Sequence, residues 1–164
     1  MKKQLSDWVK QHSAKDYKEF YRVLNYPGYT DEEDYKLIFY ISEMKHGAYS
    51  NSARCRINAI ESNRNQIPFH NSTIYDAEVN INYDTGVAIL TDNVVDEKSR
   101  GKGIGSLGMT YIKDFCKAEK CICIDGFKRP VPNTEEEMIK LTHFYIKNGF
   151  EQLQNNEIRY IIEN

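Results

Sequence analysis

The chain lacks what would announce a membrane protein, a disulfide scaffold or a metal centre. No apolar run approaches the ~18 residues of a spanning helix. The start, Met1-Lys2-Lys3-Gln4-Leu5-Ser6-Asp7, carries charge but no apolar core for export, so a cytoplasmic location is expected. The four cysteines, Cys55, Cys116, Cys121 and Cys123, lack the matching partner spacing of a disulfide framework. Cys121 and Cys123 alternate with Ile122 and Ile124, which predicts both thiols on one face of a buried strand. A zinc site would want a second close pair or a nearby histidine, and His12, His46, His70 and His143 are scattered. Reduced core thiols and no bound metal are therefore expected. A net charge of −2 argues against a general nucleic-acid binder, for which a basic face would be expected. With 164 residues, 40% of them hydrophobic and 28% charged, one domain with a real core is expected.

The first half reads as helical. Ser6-Asp7 suits the cap of a short helix through Trp8. Tyr17, Phe20, Tyr21 and Leu24 share one helical face, predicting a helix over 16–25 that Pro27-Gly28 ends. Thr30, followed by Asp31 to Asp34, predicts a second helix start, continuing through Leu37, Ile41 and Met44 to Gly47. The apolar run Leu37 to Ile41 also fits a strand. Ala53 to Glu61 reads as the first strand, and Asn63 to Thr73, with Pro68, as a loop.

The second half is patterned more sharply. Ala77, Val79, Ile81 and Tyr83 alternate with polar neighbours, Asp84-Thr85-Gly86 turns the chain, and Val87 to Val95 forms the next strand. Apolar residues at Ile104, Leu107, Tyr111, Ile112 and Phe115 mark a helix ending near Lys120, and a strand over 121–124 follows. Pro130 and Pro132 mark a loop. A helix starts at Thr134, with Met138, Leu141, Thr142 and Tyr145 on one face and Gly149 at its end. Phe150 to Leu153 and Glu157 to Ile162 close the chain as an antiparallel pair.

Between the strand at 87–95 and its helix lies Ser99-Arg100-Gly101-Lys102-Gly103-Ile104-Gly105-Ser106-Leu107-Gly108. A strand, a glycine-rich loop with two cations and a helix start together make an anion site, suited to a pyrophosphate. Gly103 to Gly108 literally matches the dinucleotide fingerprint G-x-G-x-x-G, and Asp125 stands where a ribose-binding acid would. A nicotinamide domain fits poorly, however. Seven residues, Asp96 to Lys102, all but Gly101 charged or polar, separate Val95 from Gly103, and only 56 residues follow Gly108.

Arg100-Gly101-Lys102-Gly103-Ile104-Gly105 has the form [R/Q]-x-x-G-x-[G/A], which resembles the acetyl-coenzyme A loop of the GNAT N-acetyltransferase superfamily. Val95 fills the family's apolar position five residues before the arginine. Tyr145-Ile146-Lys147-Asn148-Gly149-Phe150 resembles the family's Tyr-x-x-x-Gly-Phe. The resemblance covers about 74–162 and implies an α+β fold, a mostly antiparallel sheet flanked by helices. It implies a single domain, 1–164, with a variable helical, substrate-side region over 1–73 and a cofactor-binding core over 74–162. The family begins with a strand before its first two helices, whereas Met1 to Ser13 makes a poor strand.

The resemblance further implies transfer of an acetyl group from acetyl-coenzyme A to a primary amine. Arg100, Gly101, Lys102, Gly103, Ile104, Gly105 and Ser106 would hold the pyrophosphate. Asn93, Val94 and Val95, on a strand that splays from its neighbour, would meet the pantetheine arm and thioester. Tyr145 would protonate the leaving sulfur. The positions where relatives carry a base are Ile89, Leu90 and Thr91, so Glu78, Asp92, Asp96, Asp125 or water remain for that role. Met138 stands seven residues before the tyrosine, where relatives often carry asparagine. Expected partners are a small-molecule or peptide amine, no nucleic acid and no membrane, with the chain a monomer or homodimer. The alternative function is a non-catalytic acyl-coenzyme A sensor or interaction domain, and a nicotinamide oxidoreductase ranks third.

Overall fold

The computed structural model describes residues 2–27, 35–63 and 73–163. Among them lie α1 (Lys2–His12), β1 (Tyr21–Asn25), β2 (Tyr35–His46), β3 (Ser52–Asn63), β4 (Thr73–Asn82) and β5 (Val87–Val95). Then come α2 (Ile104–Ala118), β6 (Cys123–Phe127), α3 (Glu135–Lys147), β7 (Glu151–Gln152) and β8 (Glu157–Ile161). The strands form one sheet of eight in the order β1-β2-β3-β4-β5-β6-β8-β7. Every neighbouring pair is antiparallel except β5 and β6. This is the α+β architecture expected.

One face of the sheet holds the main core. Phe39, Ile57, Tyr75, Ala77, Val79 and Leu90 from the strands meet Ile104, Met109, Tyr111, Ile112 and Phe115 of α2 and Tyr145 of α3. The opposite face is covered where Val9 of α1 packs on Ile38, Tyr40 and Ile60. Across β3 and β4 that face instead carries ion pairs, Arg54 with Glu78 and Arg56 with Asp76.

The amino-terminal half departs from its helical reading. Ser6 and Asp7 lie inside α1 rather than capping it. Tyr17 and Phe20 dock on Phe115 from a 3-10 turn at Lys15–Tyr17 and the bend after it, and Tyr21 to Asn25 then run as a strand paired with β2. The proposed helix ending at Gly47 is β2. Leu37, Ile38, Phe39, Tyr40 and Ile41 are all buried, because both faces of β2 are covered and both edges are paired. A strand covered on both faces loses the alternation that would distinguish it from a helix. The Thr30 cap and most of the Asn63 to Thr73 loop fall outside the described residues; Asn63 and Thr73 themselves end and begin strands. Gly47 and Ser52 close a short β2–β3 connection (N···O 2.9 Å). Hairpins thus stand where two helices were expected.

The remaining elements follow the pattern closely. The strand expected from Cys121 starts two residues later, because the Cys121 N–H still bonds the Cys116 carbonyl in the exit turn of α2 (2.9 Å). Cys121 joins the main core beside Cys116, whereas Cys123 is on the other face, with Asp125 and Arg159. Their thiols therefore do not share a face. All four cysteines are buried and free.

Candidate active site

Arg100 to Gly103 form the passage from β5 to α2. Gly101 (φ +74°) and Gly103 (φ +81°) both adopt the left-handed conformation that side chains resist. A Cβ on either would meet nothing within 4 Å, so their backbone is open on the side a ligand would approach. Gly103 caps α2, and its carbonyl accepts the Leu107 N–H (3.2 Å). The N–H groups of Ile104, Gly105 and Ser106 are left without acceptors one turn back in the helix. Arg100 Nε donates to the Val95 carbonyl (3.1 Å), folding the loop back on β5. Lys102 Nζ lies over the Tyr26 ring, 5.4 Å from its centroid. Ile104 is buried, so only its backbone can face a ligand.

Beside this loop the sheet opens. Strand β5 pairs with β6 only from Val87 to Leu90, opposite Cys123 to Gly126. The register of β5 against β4 shifts between Leu90 and Asp92, with Thr91 as the extra residue. Beyond that point, among the described residues, Thr91 to Val95 have no partner on the β6 side. A cavity of about 470 Å³ occupies the opening. Asn93, Val94, Val95, Arg100, Gly101 and Gly105 line one side; Arg129, Pro130, Val131, Glu137, Lys140, Leu141 and Phe144 line the other.

Helix α3 starts on Thr134, whose hydroxyl accepts the Glu137 N–H (3.3 Å), and ends before Gly149 (φ +81°). Its carboxyl end is tied to α2, because the Asn148 side-chain amide donates to Ser106 Oγ (3.2 Å) and Lys113 Nζ donates to the Asn148 carbonyl. Tyr145 is 6% exposed and does not line the cavity, but its ring packs against that of Phe144, which does. Burial pushes its hydroxyl above the usual phenol range, and the facing Asn93 side chain acts against that rise.

Residues 6–150 match the model of the acetyltransferase (GNAT) family. The chain belongs to the GNAT family. Its fold resembles a GNAT acetyltransferase from Staphylococcus aureus Mu50 (TM-score 0.50, 19% identity, 67% of this chain and 68% of that one). It also resembles the spermidine N-acetyltransferase of Vibrio cholerae, solved with CoA and spermine (TM-score 0.51, 15% identity, 66% of each chain). A search of curated proteins returns no match. At these identities the solved structures speak for the fold alone.

For a GNAT chain the four candidate acids differ sharply in their surroundings. Glu78 accepts from Arg54 Nε (2.7 Å) and from Thr91 Oγ1 (3.1 Å). Burial pushes its carboxyl up, but those donors outweigh it and the net pKa is lowered. Asp125 holds Arg159 through two bonds of 2.7 Å in the middle of β6, not at the strand end. Asp96 accepts the Lys98 N–H (3.2 Å) and so caps a 3-10 turn. Asp92 is exposed, accepts the Asn93 N–H (3.0 Å), and makes no ion pair among the described residues.

Sequence reasoning brought Asn93 to Val95, Arg100, Gly101 and Gly105 to one cavity, while Lys102, Gly103, Ile104, Ser106 and Tyr145 do not line it. It missed Arg129, Lys140 and Phe144. Phe144 had a signal in adjoining the Tyr145 motif; Arg129 and Lys140 had none beyond charge. Among the described residues no helix is long and apolar enough to cross a membrane, and no three potential metal ligands converge.

Proposed function

We propose that this protein is an N-acetyltransferase that moves acetyl from acetyl-coenzyme A directly to a primary amine. The observation that carries the reading is the continuity of the β5–β6 opening with the glycine loop, so that one extended ligand can touch both. The residues fit such a ligand. Arg100, Lys102 and the free N–H groups of the α2 start suit a pyrophosphate, and the unpaired edge of Asn93 to Val95 suits an amide-bearing arm. The coenzyme supplies an acetyl thioester whose sulfur leaves as thiolate.

The chain's own residues then have three tasks. Unpaired backbone donors at the β5 bulge polarise the thioester carbonyl. Asp92, the candidate acid without a cation, takes the proton from the attacking amine. Tyr145, kept protonated by burial, gives its proton to the departing sulfur. The acceptor enters from the sheet face opposite α2. There the region over 1–73 sets the choice of amine. The solved V. cholerae relative carries spermine, which makes polyamines a first class to try. The free thiols of the core suit the cytoplasm.

Titration calorimetry with acetyl-coenzyme A and NADH, followed by thiol release against spermidine, lysine and a lysine-bearing peptide, tests the reading. Binding of the thioester but not NADH, with release dependent on amine, is expected. Tight thioester binding without turnover on any amine would favour a sensor.

A further inference from the structure

Among the described residues two buried side-chain atoms have no hydrogen-bond partner, Tyr75 Oη and Asn93 Oδ1. They lie on the same side of the sheet, because Tyr75 pairs with Val95 and Ala77 with Asn93 across β4 and β5, and both side chains point at α2. Asn93 Nδ2 donates to the Met109 sulfur (3.3 Å), leaving its carbonyl oxygen free. Both residues also neighbour Tyr145: the Asn93 side chain acts against the rise of its hydroxyl, and Tyr145 in turn raises the hydroxyl of Tyr75, with which it shares the main core. The two residues that carry the orphan atoms therefore both neighbour one phenol.

Stability does not account for the Tyr75 hydroxyl. Tyr75 is 1% exposed, and a buried hydroxyl without a partner is costly. Its seat exists because Gly108 has no side chain. A Cβ there would stand 2.6 Å from Tyr75 Oη and Cε2. Glycine inside a helix is itself unfavourable. Phenylalanine at 75 would fill the core without an orphan oxygen, yet the chain keeps both the hydroxyl and the notch beneath it.

Tyr145 has a chemical need that this hydroxyl can meet. A buried phenol of raised pKa is a poor acid toward a thiolate whose conjugate thiol ionises near ~8.5. Its phenolate has to be held as it forms. We infer that Tyr75 is a positioning residue, whose hydroxyl and the Asn93 carbonyl oxygen hold one buried water against the Tyr145 hydroxyl. The water accepts from Tyr75 Oη–H and donates to Asn93 Oδ1 and to Tyr145 Oη, three partners being typical of a structural water. When the Tyr145 O–H bond breaks and the S–H bond forms, the phenolate left behind accepts from that water and from Asn93 Nδ2. The proton taken from the amine returns through solvent to Tyr145, so the cycle closes without a further reactant.

This inference rests on Tyr145 as the acid, and the test separates the two. Thiol release from acetyl-coenzyme A is followed, with the fastest amine of the panel, in Tyr75→Phe, Tyr145→Phe and the double variant. Tyr75→Phe is expected to lower kcat about tenfold with KM for the thioester unchanged and melting temperature not lowered. It should add nothing in the Tyr145→Phe background, a non-additivity that a packing role would not produce. Normal kcat in Tyr75→Phe beside an impaired Tyr145→Phe would overturn the inference and leave Tyr145 standing. Additive losses would overturn it equally, and normal kcat in Tyr145→Phe would remove both. A crystal structure of the CoA complex provides an independent readout. An ordered water on Tyr75 Oη and Asn93 Oδ1 is expected, and a coenzyme atom seated there instead would refute it.

Discussion

Gly105 at the start of α2 lies against the ring of Phe144 on α3. An added Cβ would stand 3.2 Å from Cε2, 3.3 Å from Cζ and 3.5 Å from Cγ2 of Val95. The glycine loop and the α3 wall of the cavity therefore meet at this contact. Gly105 serves packing, whereas Gly103 two residues earlier serves backbone conformation.

The two glycines should fail differently. Gly103→Val strains a backbone at φ +81° in open space, so coenzyme affinity should fall at least ~10-fold, about 1.4 kcal/mol, while the core stays intact. Gly105→Val pushes Phe144 and Val95 aside, so affinity and melting temperature should fall together. Calorimetry and thermal unfolding on both variants check this. A Gly103→Val protein that binds as tightly as wild type would contradict the assignment of the loop.

Gly108→Ala tests the notch under Tyr75. Helix propensity favours alanine by ~1 kcal/mol, but the clash with the Tyr75 ring should cost about 1–3 kcal/mol as overpacking. Net destabilisation in urea unfolding is expected, and a more stable variant would show that the ring moves freely.

Glu78 and Asp92 should separate cleanly. Asp92→Asn should lower kcat/KM by about 10²–10⁴-fold, the loss expected of a missing base. Glu78→Gln should leave kcat/KM within about threefold of wild type. Its effect should appear in stability. The folded carboxyl is held below its unfolded value near ~4.3. The stabilisation is therefore present above that value and disappears as pH falls through the folded pKa. Urea midpoints of wild type and Glu78→Gln should converge in acid. An activity loss larger in Glu78→Gln than in Asp92→Asn would reverse the assignment.

The parts of the fold that the chain declares are those with local causes. Thr73 to Asn82 are buried on one face, so their alternation survives, whereas the bulge at Thr91 breaks it within Val87 to Val95, and Gly101, Gly103 and Gly149 stand at left-handed backbone positions. Leu37 to Ile41 was ambiguous for a tertiary reason, since α1 covers one face of β2 and the main core the other. Tyr21 to Asn25 are a strand because β2 offers an edge, which no pattern within 16–25 encodes. Arg129 and Lys140 reach the cavity through the path of the chain after β6. The pairing of Tyr75 with Gly108 spans 33 positions and leaves no periodic trace.

Tyr145→Phe isolates the phenol. Phenylalanine keeps the ring contacts with Phe144 and Phe150, so folding and coenzyme affinity should be unchanged. Loss of the acid should lower kcat by about 10²–10⁴-fold. Because burial raises the hydroxyl, wild-type kcat should show no alkaline loss from this group below about pH 10. Turnover within about threefold of wild type would return Tyr145 to the core.

The central claim, acetyl transfer from coenzyme A to an amine, is tested most directly by counting both products. Acetyl-coenzyme A carrying a labelled acetyl group is incubated with the wild-type protein and the amine panel. Free thiol and labelled amide are then measured together. The account predicts equal amounts of the two, both abolished in Gly103→Val. Thioester bound without either product, or thiol released without labelled amide, would contradict it.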